Sequence, residues 1–458
     1  MAINQYAKKV KVIIQKEKTF LGKIKAVGHI MNGANLLLQR KLGVSLPITI
    51  GTPIDSLYNP EGLARLDMIR IIHEKKNIRY LTQDRKINIF IPNISKDLIF
   101  GGYISLYNFI KRLIENDYKI RLIICEQVFK SNDALRKEFE DSSVVWFCLQ
   151  NSEIEHWSQI EDIEFGLDDI NIGYSWVTMN YASKVAQGTS NLPLFFIQEY
   201  ESIFYEYNSF RALCDETYSL PHKAIFNSKF LRQFFHEKRI GVFQDNIESK
   251  NCIHFEHTFA NLDKPDTQVL SDRTKKKLLF YARPENHASR NLFELGTYAL
   301  EKAIEEGVFD ESWEFYGVGS LKPIQKIALG KGHYLEMMPR VSFDEYKKML
   351  MEFDIGLCPM YAPHPSVPPF EMASAGLVSI TTTFENRSKE DMEAISGNIV
   401  ACEPKLSDLV KALETAKEKS NEYENRVTNS QFEWPRKWED SFSDAFMQEF
   451  KNLINDEQ

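Results

Sequence analysis

Three arginines in the second half of the sequence have side chains that suit an anion-binding site. Arg283 follows the apolar run "KLLFYA", Arg290 comes seven positions later in "NHASRN", and Arg340 follows the apolar run "HYLEMMP". A guanidinium stays charged, can bind a phosphate through two parallel hydrogen bonds, and stabilises negative charge on a leaving group. A surface ion pair would explain any one of them, but three at equivalent places predict a diphosphate site.

A proline-rich loop, "PMYAPHPSVPPFEMASAGL" at 359–377, is a second candidate. Prolines lack a backbone N–H, and the pair at 368–369 suits the first turn of a helix, where such donors are unpaired anyway. Glu371 would then lie in that turn, favoured by the helix dipole and able to accept from sugar hydroxyls. A plain helix cap explains Glu371 as well. The loop positions that keep a backbone N–H are His364, Ser366 and Val367.

Further candidates lie after other apolar runs. In the first half, Gly101 and Gly102 precede an amphipathic helix, where a tight turn and a ligand-binding loop are equally good readings. Glu199, or Glu201 near it, could orient an acceptor, although surface charge is the alternative. The remaining candidates are Gln198 on the acceptor side and, on the donor side, Gly317 and Gly319 in "WEFYGVGS".

Apolar runs that predict strands alternate with helical periodicity in two series. The first begins at "INIFI" and has further candidate strands at 144–149, 171–179, 192–198 and 222–228. The second extends from "KLLFYARP" to "NIVACEP". Such alternation predicts a parallel sheet in each half. The sequence therefore predicts an α/β protein of two doubly wound domains, with the carboxyl ends of both sets of strands facing one cleft.

These patterns divide the 458 residues into four parts. We predict a helical N-terminal extension without strands, an acceptor-side domain, a donor-side domain after a polar linker at 261–277, and a final helix that returns to the first domain. Trp434 and four later aromatic residues give that helix its apolar stripe. The predicted bounds are 1–85, 86–265, 275–432 and 433–458.

The charge distribution sets the N-terminal end apart. The net charge is −8, yet residues 1–50 hold nine Lys/Arg against one acid, Glu17. This segment suits an amphipathic helix on an anionic membrane surface, and a solvated helix packed on its own protein is the slightly favoured alternative. We expect no membrane span and no secretory leader. Six scattered cysteines favour a reducing compartment, so we predict a cytoplasmic protein, with peripheral attachment to the inner face of the cell membrane left open.

Several motifs together resemble a known family. They are "FYARP…RN", "HPSVPPFEMASAGLVSITT", "ENRSKE" and "NIV" in the second half, and "FGGYISLYNFIKRL" and "FFIQEYESIFY" in the first. They resemble the family 4 retaining glycosyltransferases of GT-B fold, and more narrowly the dTDP-rhamnose-dependent rhamnosyltransferases of bacterial surface-polysaccharide synthesis. The resemblance covers about residues 86–450. It implies two Rossmann-like domains, a nucleotide-sugar donor, a glycan or lipid-linked glycan acceptor, no role for nucleic acid, and no cofactor or metal.

The resemblance also implies roles for single residues. Arg283 and Arg340 would hold the donor diphosphate, and Glu371 would contact the nucleotide ribose. Arg290 stands where the broader family usually has a lysine. Pro363 stands where the broader family has a further glutamate near the donor hexose, so we expect His364 or Ser366 to take over that contact.

Other functions fit the same architecture. A GT-B transferase could use a UDP or GDP sugar, and a sugar-nucleotide epimerase or a phosphorylase could share the fold. A non-catalytic glycan-binding protein could keep the fold too, but it would tolerate loss of Arg283, Arg340 and Glu371. Their joint presence favours a metal-independent hexosyltransferase.

Overall fold

The computed structural model describes residues 60–96, 101–126, 131–141, 143–259, 262–320, 326–339 and 343–455. The basic segment 1–50 lies outside them, so the prediction of a membrane-surface helix there remains a prediction. The chain divides into two compact units, Met1–Lys75 and Lys76–Gln458. In the first unit the structure describes helix α1 (Pro60–Ile72).

The first half of the second unit is built on a parallel sheet. The strands are β1 (Asn77–Leu81), β2 (Ile87–Ile91), β3 (Ile120–Ile124), β4 (Ser152–His156), β5 (Asp162–Gly166), β6 (Ile170–Gly173), β7 (Leu194–Ile197), β8 (Lys223–Asn227) and β9 (Cys252–Phe255). Seven of them form one sheet in the order β4-β3-β2-β6-β7-β8-β9, and β1 pairs with β5 in a separate parallel pair. Every residue of β2 is buried, as expected for a strand covered on both faces.

Helices connect and cover these strands. They are α2 (Gly102–Glu115), α3 (Asn132–Glu138), α4 (Ser143–Gln150), α5 (Trp176–Ala186), α6 (Ser209–Tyr218) and α7 (Lys229–Lys238). The apolar run 144–149 was predicted as a strand, and this is wrong because it lies in α4. Val145, Cys148 and Leu149 are its buried residues, and their spacing puts them on one helical face.

Two other sequence predictions in this half need correction. The strand predicted at 171–179 ends at Gly173, because Ser175 accepts a hydrogen bond from the backbone N–H of Thr178 and caps α5. The N-terminal extension was predicted to lack strands, yet β1 falls within it. β1 has only five residues and none of them is fully buried, so it lacks the continuous apolar run from which the other strands were predicted.

The second half has its own sheet. Its strands are β10 (Lys276–Tyr281), β11 (Trp313–Val318), β12 (Ile327–Gly330), β13 (His333–Met337), β14 (Ile355–Cys358), β15 (Val378–Thr382) and β16 (Ile399–Cys402). Their order is β12-β13-β11-β10-β14-β15-β16, and only β12 runs antiparallel within this set, at the edge. Chain order reverses beside β10, and in open α/β sheets such a switch point is where ligands bind.

The helices of the second half complete the fold. They are α8 (Thr267–Ser271), α9 (Phe293–Glu305), α10 (Phe343–Leu350), α11 (Pro368–Ser374), α12 (Lys389–Glu393), α13 (Leu406–Lys419), α14 (Tyr423–Asn429), α15 (Trp438–Ser441) and α16 (Asp444–Asn455). The predicted linker 261–277 therefore contains a helix, α8, which Asp266 caps through the N–H groups of Gln268 and Val269.

The C-terminal aromatic residues do not form one helix, so that prediction is also wrong. Trp434 precedes α15 and stacks on Phe370 of α11 with 4.4 Å between ring centroids. The later residues Phe442, Phe446 and Phe450 belong to the core of the first half. The chain end thus packs against the first sheet, and Trp434 against the second half.

Candidate functional site

Arg283 lies just after the carboxyl end of β10, at the switch point of the second sheet. Its Nη2 is 3.0 Å from His287 Nε2, and its Nε is 3.6 Å from Glu285 Oε2. A guanidinium only donates, so His287 accepts through Nε2 and carries its proton on Nδ1. Burial, followed by the charge of Arg283, lowers the pKa of His287. The result is a fixed guanidinium beside a neutral imidazole.

Arg290 lies in the 3₁₀ segment Asn286–Asn291 and faces the first half of the molecule. Its Nη1 donates to the carbonyl of His287 at 2.9 Å, while its Nε is 4.0 Å from Glu199 Oε2. Its guanidinium carbon also sits 4.9 Å from the ring centroid of Phe204. Burial lowers the pKa of Arg290, opposed by Glu199. The structure thus brings Arg283 and Arg290 into one cluster that reaches across the cleft.

Glu199 meets this cluster from the first half. It follows β7 closely and is 6% exposed. Its Oε1 accepts from the backbone N–H of Tyr200 at 3.1 Å and of His364 at 3.2 Å. Burial raises the pKa of Glu199 to about 7, opposed chiefly by Arg290. A carboxylate of the first sheet therefore touches the proline-rich loop of the second half.

The proline-rich loop is shaped by its own hydrogen bonds. His364 Nδ1 accepts from the N–H of Ser366 at 3.0 Å, and Ser366 has a left-handed φ of 66°. Burial lowers the pKa of His364 to about 3, so its ring is neutral and carries the proton on Nε2. Val367 accepts at its carbonyl from the N–H groups of Phe370 and Glu371, which starts α11.

Glu371 occupies the first turn of α11 and is 8% exposed. The hydroxyl of Tyr346 donates to its Oε2 at 3.3 Å. Burial, followed by the charge of Glu371, raises the pKa of Tyr346 well above its usual value, so this hydroxyl remains a donor. Arg340 lies outside the described residues, and its role in the site remains a prediction.

The two glycines predicted on the donor side, Gly317 and Gly319, leave room for different neighbouring side chains. A Cβ on Gly319, which has a φ of +104°, would lie 2.9 Å from the ring of Tyr281 and 3.1 Å from Arg283 Cγ, so glycine leaves room for that arginine. A Cβ on Gly317 would lie 2.3 Å from Met337 Sδ, which is packing inside the sheet.

The Gly101-Gly102 pair opens α2 beside Gln198. Gly101 has a φ of 51°, and a Cβ on Gly102 would lie 2.8 Å from the hydroxyl of Tyr174 and 3.0 Å from Gln198 Oε1. No side chain caps this helix among the residues that the structure describes. Glycine at both positions therefore keeps the helix start open and close to β6 and β7.

Two residues of the cleft lie in the motif "ENRSKE" but were given no role from the sequence. Arg387 is completely buried and donates to the carbonyls of Thr382, Met360 and Ala362, which holds the base of the proline-rich loop. Burial lowers the pKa of Arg387 to about 10, and Glu199 opposes the shift. The sequence could have indicated Arg387, because it follows β15 at the same edge of the sheet at which Arg283 follows β10.

Asn386 is the second residue. Its Nδ2 donates to the carbonyl of Phe230 in α7 at 2.7 Å and to that of Pro363 at 3.2 Å. One side chain thus connects the first half with the proline-rich loop. Neither the composition nor the periodicity around Asn386 indicates such a bridge.

Two features are absent from the residues that the structure describes. No group of three or more His, Cys, Asp and Glu side chains in the described part is arranged to hold a metal ion. No helix there has both the length and the apolar character needed to cross a bilayer.

The fold and the family comparison together define the class of this protein. Two facing Rossmann-like α/β sheets form the GT-B fold. The WsaF N-terminal domain model matches residues 86–229, and the WsaF C-terminal domain model matches residues 276–414. The two matches together span more than half of the chain, which therefore carries both WsaF domains.

One relative is similar over part of its sequence. The "O-antigen biosynthesis protein RfbC" of Myxococcus xanthus is 27% identical over 234 residues, which are 48% of this chain and 16% of that protein. The chain thus spans well under two thirds of that relative's length.

Solved structures share the fold at low sequence identity. A TarM structure superposes with a TM-score of 0.56 at 8% identity, covering 81% of this chain and 99% of that one. HepE of Anabaena in complex with UDP gives 0.52 at 9% identity, over 81% and 100%. Sucrose-phosphate synthase of Thermosynechococcus elongatus gives 0.51 at 10% identity, over the same shares. At such identities the likeness concerns the fold alone.

Proposed function

We propose that this protein is a retaining hexosyltransferase that moves L-rhamnose from dTDP-rhamnose to a growing bacterial surface glycan. The cluster of Arg283 and Arg290 at the switch point of the donor-side sheet carries the proposal. Both guanidiniums have an Nε that lacks a hydrogen-bond partner among the described residues, although each lies near a carboxylate. A diphosphate offers the oxygen acceptors that such buried donors require.

In this proposal the second half of the molecule binds the donor and the first half binds the acceptor. Arg283, Arg290 and Arg340 bind the diphosphate, and Glu371 accepts from the nucleotide ribose. His364, Ser366 and Val367 of the proline-rich loop lie on the side of the donor sugar; the N–H groups of His364 and Ser366 already shape the loop through Glu199 and His364 Nδ1. Gly101, Gly102, Gln198 and Glu199 form the acceptor side.

The proposed chemistry keeps the configuration at the anomeric carbon. The bond from that carbon to the diphosphate oxygen breaks, which leaves an oxocarbenium-like sugar, and the arginines stabilise the charge on the departing dTDP. The acceptor hydroxyl attacks from the same face, and the leaving phosphate takes its proton. We assign the part of a divalent cation to the guanidiniums, so the proposed enzyme needs no metal or cofactor.

The relatives support surface-glycan synthesis as the setting, because one carries the name of an O-antigen biosynthesis protein. We also propose a cytoplasmic protein, with residues 1–50 on the anionic inner face of the cell membrane. Flotation with anionic vesicles tests this, comparing the full chain with one lacking residues 1–50. Equal recovery of both forms in the vesicle-free fraction would contradict it.

A panel of nucleotide sugars tests the function itself. We expect dTDP and dTDP-rhamnose to raise the melting temperature of the wild type and dTDP-rhamnose to be hydrolysed or transferred, with EDTA having no effect. Arg283→Met should abolish the shift, because it removes the charge and keeps the length of the side chain. Lys326→Met, at an exposed ion pair with Glu336, is the matched control and should keep it.

A UDP sugar is the second candidate donor. It is favoured by the fold relatives HepE and TarM, whose structures contain UDP. Stabilisation by UDP or GDP sugars without any response to dTDP would refute the rhamnosyl assignment. A wild type that no nucleotide stabilises would refute the transferase proposal and favour a glycan-binding protein.

A further inference from the structure

Three side-chain amides at the cleft contain buried polar atoms that have no hydrogen-bond partner in the part of the chain that the structure describes. The atoms are Gln198 Nε2, Asn227 Oδ1 and Asn386 Oδ1. Asn227 and Asn386 are each 3% exposed. A buried polar atom without a partner is unfavourable, so three of them at the cleft indicate a polar ligand that pairs with them.

The first two amides form one unit at the carboxyl end of the first sheet. Asn227 Nδ2 donates to Gln198 Oε1 at 2.9 Å, and the hydroxyl of Ser105 lies 3.1 Å from the same oxygen and 2.7 Å from the Gly102 carbonyl. These bonds fix which way both amides point. They leave both N–H donors of the Gln198 amide and the carbonyl acceptor of Asn227 unpaired in adjacent side chains.

Asn386 adds an acceptor from the opposite half of the cleft. Its Nδ2 is held by the carbonyls of Phe230 and Pro363, so its Oδ1 orientation is fixed as well. Phe230 belongs to α7, which begins two residues after Asn227. Asn386 of the second half is therefore anchored to the helix that begins beside Asn227 of the first half.

The chemistry of this group selects the class of ligand. The diphosphate of a nucleotide sugar is ionised at neutral pH and only accepts hydrogen bonds. The arginines of the second half provide donors for it, whereas two carbonyl oxygens would repel it. A sugar hydroxyl both donates and accepts, so adjacent hydroxyls can satisfy an N–H donor and carbonyl acceptors together. Because two of the three amides belong to the first half, the sugar is assigned to the acceptor rather than to the donor.

We propose that Gln198, Asn227 and Asn386 form a subsite that binds hydroxyl groups of the acceptor saccharide. The assignment rests on the proposed glycosyl transfer and names the part of the cleft that recognises the acceptor. When a saccharide occupies the subsite, its hydroxyl groups provide hydrogen-bond partners for the three amide atoms that lack them.

Two variants of Gln198 test the subsite. Gln198→Met keeps the length of the side chain and removes its polar atoms, and Gln198→Glu keeps the oxygen that Asn227 binds while replacing the N–H donors. The second is studied at alkaline pH, where the introduced carboxyl cannot donate. The control is Asn180→Ala in α5, because Asn180 Nδ2 is already paired with Trp176 and Thr217.

Saturation-transfer NMR with methyl glycosides of rhamnose, mannose, galactose and N-acetylglucosamine, recorded with dTDP present, provides the measurement. We expect at least one glycoside to bind the wild type and the Asn180→Ala control alike. Both Gln198 variants should bind it about tenfold more weakly, as the loss of one hydrogen bond to a buried partner implies. Their thermal stabilisation by dTDP should equal that of the wild type.

Other outcomes would overturn the subsite. Unchanged glycoside affinity in either variant would do so, and so would an equal loss in the control. A loss confined to dTDP or dTDP-rhamnose would move the amides to the donor. If dTDP stabilises the wild type but no glycoside binds, the subsite fails and the proposed function stands; if no nucleotide stabilises the wild type, the proposed function itself fails.

Discussion

Glu199 is the residue in which the two halves of the cleft meet most closely. Its carboxyl accepts a backbone N–H from His364 and faces Arg290 at 4.0 Å, yet burial still raises its pKa to about 7. The opposing attraction of the arginine is weaker than the loss of solvation, as is usual for a carboxyl removed from water. Glu199 therefore changes charge near neutral pH.

The raised pKa of Glu199 has a defined effect on stability. The folded state binds this proton more tightly than the unfolded state, so the contribution of Glu199 to stability is present below about pH 4.5 and is lost as the pH rises through about 7. Glu199→Gln removes this titration. We expect the variant to gain stability relative to the wild type by roughly 3 kcal/mol between pH 5 and pH 8, since one pKa unit corresponds to about 1.4 kcal/mol.

Urea denaturation of both proteins at the two pH values provides the measurement. Glu206→Gln, at an exposed glutamate of the same segment, is the control and should show no such dependence on pH. A difference between Glu199→Gln and wild type that is equal at both pH values would show that the buried carboxyl does not titrate in this range.

At the scale of elements, periodicity identified the sheets well and identified single elements less well. The buried runs of β2 and β10 are short, apolar and bounded by polar residues, so the sequence predicted them as strands. The run 144–149 has the β-branched and aromatic residues of a strand, but its apolar positions also fit a helical face, and packing against α2 selected the helix. Propensity alone could not distinguish these alternatives.

Local sequence also could not indicate every residue of the candidate site, for a different reason. The positions of Arg283, Arg290 and Glu371 beside the cleft could be predicted because each follows or opens a recognisable element, and their roles stay predictions. The bonds that Arg387 and Asn386 make are to backbone carbonyls from three separate stretches of chain. Such contacts depend on how the halves pack, which local sequence does not encode.

The start of α5 provides a prediction at this scale. Ser175 caps the helix by accepting from the Thr178 N–H, and the Thr178 hydroxyl accepts from the Ser175 N–H at 2.8 Å. Ser175→Ala removes the side-chain cap and should lower the free energy of unfolding by about 1 kcal/mol, as for other N-caps. Urea denaturation beside Ser190→Ala, an exposed serine of the same half, measures it. Equal stabilities of the two variants would show that this cap is dispensable.

At the scale of the whole molecule, two kinds of contact connect the halves. Polar contacts cross the cleft, and they include the exposed ion pair of Lys238 with Glu385. The chain end forms the other connection, since it leaves the second half at Trp434 and packs α16 into the first core. Exposed ion pairs contribute little because water solvates both partners, whereas buried aromatic side chains contribute several kcal/mol.

The returning helix should therefore matter far more than the cross-cleft ion pair. Phe450 is completely buried, with its ring 5.3 Å from Phe109 and 6.0 Å from Tyr118, centroid to centroid. Phe450→Ala should lower the free energy of unfolding by about 3 to 5 kcal/mol through lost burial and the cavity left behind. Lys238→Ala should change it by less than about 1 kcal/mol. Urea denaturation of both variants compares them directly, and a larger loss for Lys238→Ala would mean that cross-cleft charge, rather than the returning helix, stabilises the assembled fold.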